Sequence, residues 1–173
     1  VGVATLIGAA LVYGLASAAI TLLLQYFLAQ MIGLTTALQL MELSRPDHPL
    51  LQLILRNAPG TYQHSLQVAN LAEQAAEEIG AEGLVTRVGA LFHDAGKYHF
   101  PHLFIENQIA GVDNPHDDLS PMESSHAIIQ HVHDGLKLAK KYRLPKRLHS
   151  FINEHHGTMI TRYQYVNAVK EAD

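Results

Sequence analysis

The chain has 173 residues, 48% of them hydrophobic, and 12 Lys and Arg against 16 Asp and Glu give a formal net charge of -4. That balance, with no basic tract, excludes the cationic surface on which duplex nucleic-acid binding relies. With no cysteine, disulfides and thiolate metal sites are excluded too, so any metal must be held by histidine and carboxylate.

Charge is unevenly placed. From Val1 to Met41 there is no Asp, Glu, Lys or Arg, and every charged residue lies beyond that point. The apolar run over residues 3–31 exceeds the ~20 residues that cross the hydrocarbon core as a helix, so a membrane span is expected. A buried core helix of this length ordinarily carries a charge on some face, and a signal peptide wants a basic start and a shorter apolar core. The chain opens in apolar sequence without an initiator Met, as expected of a piece of a larger membrane protein. Glu42, Arg45, Asp47 and Arg56 give the flank only a slight cytoplasmic lean.

The expected organisation is a span and its exit over 1–41, a connector over 42–58 and a helical domain over 59–173. Gly33 to Thr36 ends the span. Ser44-Arg45-Pro46-Asp47-His48-Pro49 interrupts the helical pattern, and Leu50 to Arg56 is a short amphipathic piece. A helix is predicted over 62–79, with His64, Val68, Leu71, Ala75 and Ile79 on one stripe that turns His64 inward. A second, over 84–95, carries Val85, Val88 and Phe92 to the core and ends in His93-Asp94 before Gly96. Periodicity then disappears over 98–119, a loop long enough to suggest function. Ser120-Pro121-Met122-Glu123 reads as a capped helix start, predicting a helix to about Tyr142. Pro145 opens another that reaches His156 and stops at Gly157. No strand alternation of useful length appears, so the class is all-α.

Twelve histidines compete as metal ligands. At 100° per residue His131 shares a face with Ile128, Val132, Gly135 and Ala139, while His126 and His133 lie opposite with Gln130, Lys137 and Lys140. His155 falls on the stripe of Leu148, Phe151 and Ile152, with His156 at its border. A single inward imidazole is ordinarily satisfied by a backbone carbonyl. Five of them, His64, His93, His131, His155 and His156, would need five separate partners, whereas one metal centre at Asp94 serves all. His48, His99, His102, His116, His126, His133 and His149 are expected at the surface.

In that order the motifs Leu43-Ser44-Arg45-Pro46-Asp47-His48-Pro49-Leu50-Leu51, Ala58-Pro59-Gly60-Thr61-Tyr62-Gln63-His64-Ser65, His93-Asp94-Ala95-Gly96-Lys97, Phe104-Ile105-Glu106-Asn107-Gln108 and His155-His156-Gly157-Thr158 resemble the HD-domain metal phosphohydrolase superfamily. More narrowly they resemble the seven-transmembrane HD proteins, the PgpH-type cyclic di-AMP phosphodiesterases, over Leu34 to about Ala168. The resemblance implies a transmembrane helix feeding a helical HD bundle on the cytoplasmic side of the bacterial plasma membrane. It implies two divalent ions, iron or manganese before zinc or cobalt, one on His64, His93 and Asp94 and the other on Asp94, His131, His155 and His156, with Asp94 bridging. In the family a further aspartate, in a later helix, completes the first site; Asp173 is not assigned to it.

Two such ions can activate a water against a phosphodiester; the resemblance implies that this is cyclic di-AMP, opened to linear pApA. Lys97, one turn after His93, is placed to reach a phosphate oxygen. Tyr98, Phe100 and Phe104 can stack on bases or pack the loop, and Asn107 is a further candidate substrate contact. Two alternatives stay open: an HD phosphohydrolase of another nucleotide, and a membrane-tethered module that binds metal and nucleotide without turnover. The Gly-Tyr-Pro signature of the cyclic di-GMP group is absent after His155-His156, where the chain reads Gly157-Thr158-Met159-Ile160.

Overall fold

The computed structural model describes residues 2–32 and 35–172. Gly33 and Leu34, at the expected exit of the span, and Asp173 lie outside them. Two compact units divide between Thr36 and Ala37. The first holds α1 (Val3–Ile32). Its stretch Val3–Ala29 is long and apolar enough to cross a membrane, and none of it is buried against protein. At ~1.5 Å per residue a helix of this length exceeds the ~30 Å of a bilayer's hydrocarbon core.

All regular structure among the described residues of the second unit is helical: α2 (Ala37–Leu43), α3 (Pro49–Asn57), α4 (Pro59–Glu78), α5 (Gly83–Phe92), α6 (Pro121–Lys141), α7 (Lys146–Glu154) and α8 (Arg162–Ala172). Three short 3-10 turns, Ala95–His99, Pro101–Leu103 and Ile105–Asn107, follow α5. The segment expected to be a plain loop is therefore partly ordered as tight turns, and α2 and α8 were not anticipated. Local chemistry explains most boundaries. Pro49, Pro59 and Pro121 each sit at a first helical position, where a missing N–H costs nothing. Ser120 accepts from the Glu123 N–H while the Glu123 carboxylate accepts from the Ser120 N–H, a complete capping box. His48 caps α3 by accepting from the Leu50 N–H and sets its ring edge-on to Phe92, 5.4 Å between centroids.

Phe92, Leu50, Leu51, Ile54, Val88, Leu148 and Ile152 form the fully buried heart of this unit, drawn from α3, α5 and α7. Burying a side chain of this size is worth about 1.5–3 kcal/mol, so this cluster dominates the stability of the bundle. The face of α4 differs from the expected one. Thr61, Tyr62, Ser65, Ala69 and Ala76 are buried, whereas Leu71, Ala75 and Ile79 are exposed. The buried stripe is rotated by about one residue because its small side chains admit α5 at close range. Leu71 and Ile79 are too bulky for that seam.

Candidate metal centre

His93 and Asp94 occupy the turn between the end of α5 at Phe92 and the 3-10 turn at Ala95, three residues earlier than the predicted helix end. Both are buried, although polar. The turn is brought to α6 by Gly96. A Cβ there would lie 1.8 Å from the His131 carbonyl oxygen and 2.5 Å from the Gly135 nitrogen, so only glycine lets the two backbones meet. This contact delivers His131 to Asp94. His155 and His156 sit just beyond the end of α7 at Glu154 and complete the cluster.

Distances converge on one carboxylate. Asp94 Oδ2 lies 3.1 Å from His93 Nε2 and 4.0 Å from His64 Nε2, while Oδ1 lies 3.4 Å from both His131 Nε2 and His155 Nε2. His156 Nε2 is 3.2 Å from His131 Nε2. His64 was expected to face inward, yet its side chain is 46% exposed; it approaches Asp94 from the rim of the centre. His155 is half-buried and His156 exposed.

The rings are set by the helices that carry them. Nδ1 of His93, His131 and His155 faces the carbonyl three residues back, at Ala90, Ile128 and Ile152. A carbonyl only accepts, so each Nδ1 carries a proton and each ring turns its Nε2 toward Asp94. Asp94 Oδ1 is buried without a hydrogen-bond partner. Imidazole nitrogens and a buried carboxylate oxygen thus crowd together, a donor set that suits a cation. Two donor groups can hold one: Asp94, His131, His155 and His156, and separately His64, His93 and Asp94, each with ligand atoms within 4.8 Å of one another. Asp94 belongs to both. Burial alone would push the Asp94 carboxyl up, but His131, His155 and His93 outweigh it and hold it far below the ordinary carboxylate range. Although His156 is exposed as a residue, desolvation of its ring where it faces the cluster, then the neighbouring His155 and His131, bring its imidazole down to about 4.

The remaining candidates are engaged elsewhere. Lys97, expected to reach a phosphate, lies 2.8 Å from both Asp94 Oδ2 and Glu106 Oε1 and is only 12% exposed. Phe104 is buried edge-on against His131, at 5.4 Å, and Tyr98 packs on the core, so both support the loop rather than offer a free stacking face. Phe100 alone of the three aromatics is largely exposed. Asn107 exchanges two hydrogen bonds with Thr61. His126 and His133 are exposed, as their face requires. His116 and His149 instead do structural work: His116 bonds to the Leu103 carbonyl and the Ser124 hydroxyl, and His149 to the Leu144 carbonyl. Glu106 and Thr61 were missed as contributors. Both lay inside quoted motifs, but their pairing spans 45 residues and leaves no periodic trace.

Beside the centre lies an apolar groove of about 580 Å³, lined by Ile128, His131, His156, Met159, Ile160 and Tyr163 among others.

The HD domain family model matches residues 61–173. The chain is 44% identical over 171 residues to the cyclic-di-AMP phosphodiesterase PgpH of Bacillus subtilis, covering 99% of this chain and 24% of that protein. It is 47% identical over 147 residues to the PgpH of Listeria monocytogenes, covering 82% of this chain and 20% of that protein. It therefore spans a quarter or less of the length of these relatives. Among solved structures, the Listeria PgpH HD domain in complex with cyclic di-AMP superposes with a TM-score of 0.70 at 45% identity, over 74% of this chain and 59% of that one.

Proposed function

Because the chain belongs to the HD domain family, we propose that it is the membrane-proximal catalytic part of a metal-dependent phosphodiesterase that opens cyclic di-AMP to linear pApA. The observation that carries this reading is the partnerless, buried Asp94 Oδ1 shared by two donor groups of imidazoles. The naming of the Bacillus and Listeria relatives supports the substrate, and the neighbouring groove has the volume and apolar lining that ligand sites use. On this reading α1 crosses the bacterial plasma membrane and the helical unit stands on its cytoplasmic face.

His64, His93 and Asp94 would hold one divalent ion, and Asp94, His131, His155 and His156 a second, with manganese or iron favoured. Two such ions supply a water nucleophile of lowered pKa and neutralise charge on a phosphodiester. The protein's own contribution is positional. The Nδ1 bonds to Ala90, Ile128 and Ile152 hold the rings before any ligand arrives, which limits reorganisation. Phe104 walls one side of His131 from water. In Asp94→Ala, elemental analysis should find the bound metal lost, and an assay over a panel of cyclic dinucleotides should find no turnover. Undiminished hydrolysis of cyclic di-AMP by that variant would refute the mechanism.

A further inference from the structure

The segment Phe104-Ile105-Glu106-Asn107-Gln108 has no part in the proposed ligand set, yet it grips the centre from behind. Lys97 Nζ sits between Asp94 Oδ2 and Glu106 Oε1, 2.8 Å from each, and 4.8 Å above the Phe104 ring. The same Glu106 oxygen accepts from the Thr61 hydroxyl at 3.1 Å. Asn107 Oδ1 accepts from the Thr61 N–H at 3.2 Å, and Asn107 Nδ2 donates to the Thr61 hydroxyl at 2.8 Å. Ala58 provides no side-chain cap for α4. The cap comes instead from Asn107, across a gap of 46 residues. Gly60 is required for the approach, since a Cβ there would lie 1.8 Å from the Glu106 carbonyl oxygen. One network thus fastens the start of α4, a turn ahead of His64, to the turn that bears Asp94.

Charge gives the network a second role. Lys97 competes with any cation for Asp94 Oδ2, because both are drawn to the same oxygen. Asp94, Lys97 and Glu106 together carry one net negative charge; without Glu106 they carry none. Glu106 is held below its ordinary range, the Lys97 ammonium outweighing the opposing effect of burial, so it is anionic at neutral pH.

We propose that Glu106 is a positioning residue of the Asp94 centre, taking up part of the Lys97 charge and tying α4 to the His93-Asp94 turn so that the centre retains its attraction for cations. This rests on the metal-binding reading given above. The test is a titration of the full chain in detergent with Mn²⁺ alone, followed by the electron paramagnetic resonance of the unbound ion, with circular dichroism to establish that each variant is folded. Glu106→Gln, which keeps the size and a hydrogen-bonding oxygen, should weaken Mn²⁺ binding about tenfold, the lower end of what partners behind metal ligands contribute. Lys97→Met should strengthen it several-fold, and the double variant should return close to the unmodified chain. A merely mechanical clasp would weaken binding in all three. That pattern, or a Glu106→Gln affinity within twofold of the unmodified chain, would overturn the proposal while leaving the metal reading intact. An unmodified chain that binds no Mn²⁺ would overturn the metal reading and, with it, this inference.

Discussion

Gly96→Ala puts the assembly of the centre to its most direct test. The added Cβ would stand 1.8 Å from the His131 carbonyl oxygen, against 3.4 Å for the near edge of ordinary contact, a shortfall of about 1.6 Å. The obstructing atoms are backbone of α6, with the Gly135 nitrogen at 2.5 Å, so no side chain can rotate out of the way. Either α6 moves off the turn or the turn moves off α6. In both cases His131 leaves Asp94, and a displacement of ~1.6 Å is far beyond the ~0.2 Å latitude of a metal–ligand distance. Overpacking of a closed seam costs typically 1–3 kcal/mol, and a backbone obstacle lies at or above the top of that range. For a unit of this size, about 3 kcal/mol corresponds to a fall in Tm on the order of 10 °C. Thermal unfolding in detergent, followed by circular dichroism with and without Mn²⁺, measures both effects. The variant should melt well below the unmodified chain and gain little or nothing from Mn²⁺, whereas the unmodified chain should gain stability as the ion binds the folded state. A Gly96→Ala chain that melts within about 2 °C of the unmodified one and keeps its Mn²⁺ response would refute the role assigned to this contact.

Two further outcomes follow from the geometry of α6. His131→Gln should remove metal from the Asp94 centre, while His133→Gln, two residues away on the exposed face, should leave metal content and stability unchanged, as elemental analysis of the two variants side by side would reveal. Ser120→Ala removes the hydroxyl that accepts from the Glu123 N–H while keeping the Ser120 N–H on the Glu123 carboxylate, and should cost about 1 kcal/mol in urea unfolding, with metal affinity preserved because the cap lies more than two turns from His131.

Much of this protein could be read from local pattern. The uncharged run that forms α1, the all-helical class, the capped start of α6 at Ser120 and the sorting of His131 from His126 and His133 all depend on residues within one or two turns of each other. Helical periodicity and capping act over that distance, so sequence alone determined them. Tertiary structure decided what depends on approach between segments. The buried face of α4 runs through Ser65, Ala69 and Ala76 rather than Leu71 and Ile79 because α5 comes close enough to exclude large side chains, a condition no helical wheel contains. Lys97 looks available in sequence and is instead enclosed by Asp94 and Glu106, and Thr61 is capped by Asn107, 46 residues away. Most of all, the convergence of four imidazole-bearing segments on Asp94 needs Gly96 to admit the α6 backbone. Periodicity can point a histidine inward, but only the packing of one backbone on another determines which atom it meets there.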